Sequence, residues 1–250
     1  MDKAIQIEEK ETVGSIAVRS NRARKALEDL GIDYCCGGNI SLAEAARKAG
    51  IKQYELVDRL AVELAKSEAA DAEEREWTVA PPEDLIEYVL SAHHAYMKTV
   101  LPRIKSLLER VLRAHGPAHG DVLTPLDRIF RRLSAEITEH LYKEEEILFP
   151  LMRREAEAAH SGKARPFCPC GTVANPIRQM QFEHDNAGEA LRRMRDITHG
   201  YALPPDACPS FKALYDELQA MEKDLHEHIH LENNILFPRA ERLEETFSGR

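Results

Sequence analysis

The chain has 250 residues, 43% hydrophobic and 31% charged, with a formal net charge of −9. That length suits one large domain or a main domain with a small appendage. The negative balance argues against a nucleic-acid binder that works by phosphate neutralisation, and no run approaches the ~18 apolar residues of a membrane span. Five cysteines, an odd number with two adjacent, do not make a disulfide framework and fit a reducing cytoplasm. The first ten residues lack the basic and apolar stretches of a secretory leader, so a cytoplasmic location is expected.

Residues 1–65 read as a small helical domain. Apolar positions fall at helical spacing in short runs, Val13 to Val18, Ala23 to Leu30, Leu42 to Ala49 and Tyr54 to Leu64, with breaks at Gly31 and Gly37-Gly38. Ser41 with Glu44 three residues later makes a capping box. A unit of fewer than about 70 residues needs a partner surface or a staple. Its own bundle or a second subunit would serve, which leaves a homodimer open. Residues 66–81, rich in Ala, Glu and Asp and then ending in Ala-Pro, read as a linker.

From Pro82 to the end, four long amphipathic patterns follow, at about 82–113, 124–158, 174–199 and 208–244. Each advances by steps of three and four. The joints carry His115-Gly116-Pro117, the loop from Ser161 to Thr172, and Gly200 to Pro209. No alternating strand is visible. The expected fold is all-α, an up-down-up-down four-helix bundle over 82–250. Pro102, Pro150 and Pro238 predict kinks or helix ends.

One segment occurs twice. Between positions 133–150 and 221–238, seven of 18 residues are identical, and they include a His and a Glu four apart: His140 with Glu144, and His228 with Glu232. Residues four apart share a helix face. His94 and His184 lie on the apolar stripes of the other two helices, so every bundle helix contributes one imidazole to the interior. His93 adjoins His94 and either could face inward; the stripe through Leu90, Met97 and Leu101 favours His94. Four imidazoles and two carboxylates inside one bundle would cost several kcal/mol without neutralising partners, and a metal cluster satisfies them together. Six nitrogen and oxygen donors exceed the needs of one zinc ion and suit two ions bridged by the carboxylates. Two non-haem irons with an oxo or hydroxo bridge fit best. Glu136 and Asp224 stand four residues before His140 and His228, and Glu183 adjoins His184. All three are candidate acceptors for the outer imidazole N–H groups or proton relays. Their bland alternative is ordinary surface acid.

Cys35 and Cys36 are adjacent, so a bond between them would strain the ring, and Gly37-Gly38 lets the backbone turn and expose them. Their functional reading is a thiol pair that receives electrons, binds iron or nitric oxide, or docks to a client. The alternative is a tight turn with small buried side chains. Cys168 and Cys170 could chelate or oxidise, and the incidental reading is preferred. Cys208 reads as structural.

His-x-x-x-Glu-x-x-x-Leu-Phe-Pro twice in a four-helix bundle resembles the hemerythrin-like di-iron domain. Asp33 to Gly38, with adjacent cysteines and glycines, resembles the short domain that precedes it in the iron–sulfur cluster repair family. The resemblance implies His94, His140, Glu144, His184, His228 and Glu232 as ligands. It implies a bacterial cytoplasmic role in repairing iron–sulfur proteins damaged by nitric oxide or oxygen species, through labile iron donation and nitric oxide binding. It raises the functional reading of Cys35 and Cys36. The alternatives are a nitric oxide or oxygen sensor or scavenger, and a nitric-oxide-reducing enzyme. His93 and the Cys168 loop stand outside the family pattern.

Overall fold

The structure, a computed structural model, describes residue 7, residues 11–65 and residues 77–248. Of the expected linker, residues 66–76 lie outside the described residues. The chain divides into two compact units: Met1–Pro81 with Ile229–Pro238, and Pro82–His228 with Arg239–Arg250. The second boundary therefore cuts through the last helical arm. Among the described residues there is no strand, only an isolated antiparallel bridge between Thr12 and Ser41. The protein is all-α, as the periodicity predicts.

The first unit contains α1 (Val13–Ala17), α2 (Asn21–Asp29), α3 (Leu42–Lys48) and α4 (Gln53–Ala65). Thr12, Ser20 and Ser41 cap the first three, each hydroxyl accepting from a backbone N–H of the first turn. Ile16, Leu27, Leu42, Leu56 and Leu60 form the core. The loop after α2 is organised by Asp33, whose Oδ1 accepts from the N–H of Cys35 at 3.0 Å and of Cys36 at 2.9 Å. The segment Ile229–Pro238 holds this loop from the other side. Asn233 Nδ2 donates to the Cys35 carbonyl at 3.1 Å, and Asn234 Nδ2 to the Tyr34 carbonyl at 3.0 Å. Asn234 also bonds His230 Nδ1 at 2.9 Å. His230 is fully buried, and burial, reinforced by the charge of Arg24, pushes its pKa down to about 3, so the ring is neutral.

Gly37 and Gly38 do not adopt the left-handed conformation that the turn reading implies; in this loop region only Gly31 does, with φ +66°. Gly38 is required for space instead. A Cβ there would stand 2.6 Å from the Tyr34 carbonyl oxygen and 3.0 Å from Asn234 Oδ1. Gly38→Ala is expected to destabilise this unit by about 1–3 kcal/mol. Amide hydrogen exchange across residues 13–42 of the full chain should accelerate relative to the wild type.

The other arms are long. α5 (Pro82–Tyr88) runs through a π turn (Val89–His94) into α6 (Ala95–Lys143). A second π turn (Glu144–Leu148) leads to α7 (Phe149–His160), and α8 (Ala174–Ile197) follows. The last arm is α9 (Pro209–Leu231), a third π turn (Glu232–Leu236) and α10 (Phe237–Ser248). The first two predicted helices are joined: helical bonding runs through α6 and breaks only at His119 (φ −129°, ψ 22°). The chain reverses there, because His94 is hydrogen-bonded to Glu145, 51 residues further on. Arg103 pairs with Glu217 and His93 with Asp224, so the first and last arms also run antiparallel. The up-down bundle follows from these pairings.

Pro150 and Pro238 do not end their helices. Each follows a π turn, and the wider turn takes up the clash between a proline ring and the carbonyl four residues earlier. Pro102 lies inside α6.

Candidate metal centre

Five of the six predicted ligands lie within the second unit, and Glu232 follows one turn after His228 on the same arm. Each of the three π turns carries one of them: His94, Glu144 and Glu232. Local widening of a helix is a recurrent feature of functional sites. All six are buried, His140 the most exposed at 6%, and both carboxylates at 0%.

Glu144 faces two ways. Its Oε2 lies 3.4 Å from His94 Nε2 and 4.0 Å from His228 Nε2, while its Oε1 lies 3.3 Å from His140 Nε2. His140 Nε2 is in turn 3.1 Å from His184 Nε2. Within the second unit two donor sets result: His94, Glu144 and His228, and His140, Glu144 and His184. Within each set the donor atoms lie within 4.8 Å of one another. Glu144 belongs to both.

Two imidazoles are oriented by carboxylates outside the cluster. His140 Nδ1 meets Glu183 Oε2 at 2.9 Å, and Glu183 also accepts from Lys143 and Gln179, each at 2.8 Å. Burial would raise the Glu183 carboxyl, but the hydrogen bonds from His140, Lys143 and Gln179 outweigh it and hold the pKa at about 2. His94 Nδ1 meets Glu145 Oε1 at 2.8 Å, and Lys98 donates to Glu145 at 2.7 Å. There too burial raises the carboxyl, and the bonds from Lys98 and His94 bring it below its ordinary value. With Nδ1 held outside, both rings present Nε2 to the cluster.

Glu183 thus supports His140 on the facing helix, not its neighbour His184. Glu136 supports neither histidine: its carboxylate is 44% exposed and pairs with Arg132 four residues away at 2.8 Å. Asp224 bonds His93 Nδ1 at 3.0 Å, not His228. Of His93 and His94, His94 joins the donors, as the apolar stripe favours, yet both are buried, at 4% and 1%. The π turn at Val89–His94 admits an extra residue per turn and lets neighbours share the inward face. His93 stacks parallel on His228, centroids 5.5 Å apart and planes 4° apart. Glu145 is the supporting group that sequence reasoning missed. It sits beside Glu144 in a triple-acid run, and nothing along the chain marks which helix it faces.

Cys35 is buried, Cys36 is partly exposed, and their Sγ atoms are 3.8 Å apart and not bonded to each other. The hydrogen bond with Cys36, then burial and the charge of Asp33, push the Cys35 thiol well up, so it is held protonated. Cys168 and Cys170, an incidental pair by the preferred reading of the sequence, are joined by a disulfide.

The hemerythrin HHE cation binding domain model matches residues 85–167 and 171–240, and a domain of unknown function (DUF542) matches residues 9–63. The chain belongs to the iron–sulfur cluster repair family of hemerythrin-like proteins. It is 35% identical over 232 residues to the iron-sulfur cluster repair protein YtfE of Pectobacterium carotovorum, covering 93% of this chain and 97% of that protein. The YtfE of Yersinia pseudotuberculosis is 34% identical over 235 residues, with 93% and 97% covered. A probable iron-sulfur cluster repair protein of Haemophilus influenzae is 34% identical over 230 residues, with 91% and 95% covered. Among the described residues no helix is long and apolar enough to cross a membrane.

Glu183→Ala and Glu145→Ala should each weaken metal binding by roughly 10–100-fold, because each leaves a ligand ring without its outer hold. Glu136→Ala, at an exposed ion pair, should change it by no more than about twofold. Competition against a chromophoric chelator measures all three.

Proposed function

We propose that this chain holds two non-haem iron ions with a solvent-derived bridge, and that it serves the repair of iron–sulfur clusters damaged by nitric oxide or oxygen species in a bacterial cytoplasm. Glu144 carries the reading: one carboxylate offers an oxygen to each of two histidine sets. The donor set fits the ions, with four imidazole nitrogens and two carboxylates that suit iron more than soft or purely oxygen-seeking metals. His94, His140, His184 and His228, with Glu144 and Glu232, would hold the ions. When bound, the iron pair supplies redox chemistry and sites for small ligands such as nitric oxide.

The rest belongs to the protein. Glu183 and Glu145 fix the ring tautomers, and Lys143 and Lys98 neutralise those carboxylates toward the surface, where Lys98 is 57% exposed. The bundle interior excludes bulk water from the donors. Four neutral imidazoles and only two carboxylates make a less anionic cage than an all-carboxylate store, which favours release to a client. Asn233, beside Glu232, holds the backbone of the cysteine loop, and the partly exposed Cys36 supports a role for this loop in meeting a damaged protein. The Cys35 thiol is held protonated, which disfavours nucleophilic attack and metal ligation through it.

The test supplies iron-loaded protein to apo-aconitase as the sole iron source. Donation predicts recovery of cluster absorbance with a matching loss of iron from the protein. Iron retained with no recovery rejects donation in favour of a sensor, and nitrous oxide formed over repeated turnovers with a reductant would indicate an enzyme. Glu144→Ala should cost both halves of the site, lowering iron affinity by more than roughly tenfold, read by metal analysis after gel filtration.

A further inference from the structure

The joint His115-Gly116-Pro117 plays no part in the bundle centre, yet it gathers a second set of donors. His115 and His119 lie four apart at the reversal of α6, and Asp206 reaches them from the loop between α8 and α9. Their donor atoms lie within 4.8 Å of one another. His119 Nε2 stands 2.9 Å and 3.0 Å from the two oxygens of Asp206. An ion bonded at about 2.0–2.1 Å sets neighbouring donors roughly 3 Å apart or slightly more, so that pair already has the separation of two ligands. His115 needs only a small approach, and all three side chains are at least partly exposed and able to make it.

The rings are also preorganised. Both pack on buried Phe211, with centroids 5.2 Å away for His115 and 6.0 Å for His119. The reversal itself is built around His119, the one non-helical residue in α6. The hydrogen bond from His119 and the neighbouring His115 keep the Asp206 carboxyl below its ordinary value, so it is in the ligating form.

We propose that His115, His119 and Asp206 form a second metal site, for a single divalent first-row transition ion. Two imidazoles and one carboxylate suit zinc, copper, nickel or ferrous iron and disfavour magnesium and calcium. Three protein donors on a partly exposed surface leave coordination positions to solvent, so the ion exchanges readily. His115 lies 21 residues beyond His94 on the same arm, roughly 30 Å along the helix, so the two sites share no ligand. The proposal does not depend on the repair reading.

The experiment titrates cobalt(II) into the full chain after its bundle site has been loaded with iron. One additional saturable cobalt per chain is expected, with visible bands of nitrogen and oxygen coordination and the iron content unchanged. His115→Gln and Asp206→Asn, on separate elements, should each weaken this uptake by roughly tenfold or more and leave iron untouched. In the unaltered chain, bound cobalt should shift the ring protons of His115, His119 and Phe211, a readout that survives misfolding of either variant. The proposal is overturned by no saturable uptake beyond the iron sites, by uptake that neither variant changes, or by the absence of shifts on those rings. His119 and Asp206 would then be an ion pair only.

Discussion

Glu144, a carboxylate without exposed surface, sits among four buried imidazoles, and Glu232 is as fully buried. A buried charge is tolerable only when it is paired and hydrogen-bonded, and this requirement shapes the bundle around it. It explains why each helical arm must bring one histidine to the same level. It explains why Glu183 and Glu145 stand behind two of the rings, and why lysines stand behind those acids. Removing any one layer leaves the next uncompensated.

The π turns answer a second demand. A regular helix offers one inward position per turn or so, and a clustered site needs more. Widening at Val89–His94 lets His93 and His94 both face inward, while Glu144 and Glu232 keep the regular four-residue step from their histidines and open the π turns that follow. The prolines at 150 and 238 exploit the same widening, so the Leu-Phe-Pro that closes each copy of the repeat lies where the turn begun by the glutamate ends.

What the sequence discloses and what it hides follow from this. The buried His and Glu residues of the cluster are legible because a repeated His and Glu four apart is a property of one helix, and periodicity reads single helices well. Partners across helices are a different matter. Glu183 was placed beside His184 by adjacency, yet it serves His140, because facing side chains are set by the rotation and level of two helices together. Glu136 looked equivalent to Asp224 through the repeat, but it sits on the solvent side, paired with Arg132. The apolar stripe chooses His94 over His93 as the donor, and His94 is the one in the cluster; that His93 is buried beside it, bonded to Asp224, is what the 3.6 period hides, because a π turn is where that period fails. The adjoining glycines in the cysteine loop read as a turn, but the reason for Gly38 is space, taken up by the Tyr34 carbonyl oxygen and by the approach of Asn234, about 200 residues away in sequence.

That approach ties three positions into one evolutionary unit. A Cβ on Gly14 would stand 2.3 Å from Asn234 Oδ1, and one on Gly38 would stand 3.0 Å from it. The asparagine amide meanwhile needs both the Tyr34 carbonyl and His230. A side chain at position 14 calls for a smaller residue at 234, which forfeits those two bonds, and one at 38 meets both Asn234 and, at 2.6 Å, the Tyr34 carbonyl oxygen. Positions 14 and 234 are thus expected to change together, and 38 to stay glycine, across relatives that keep this loop.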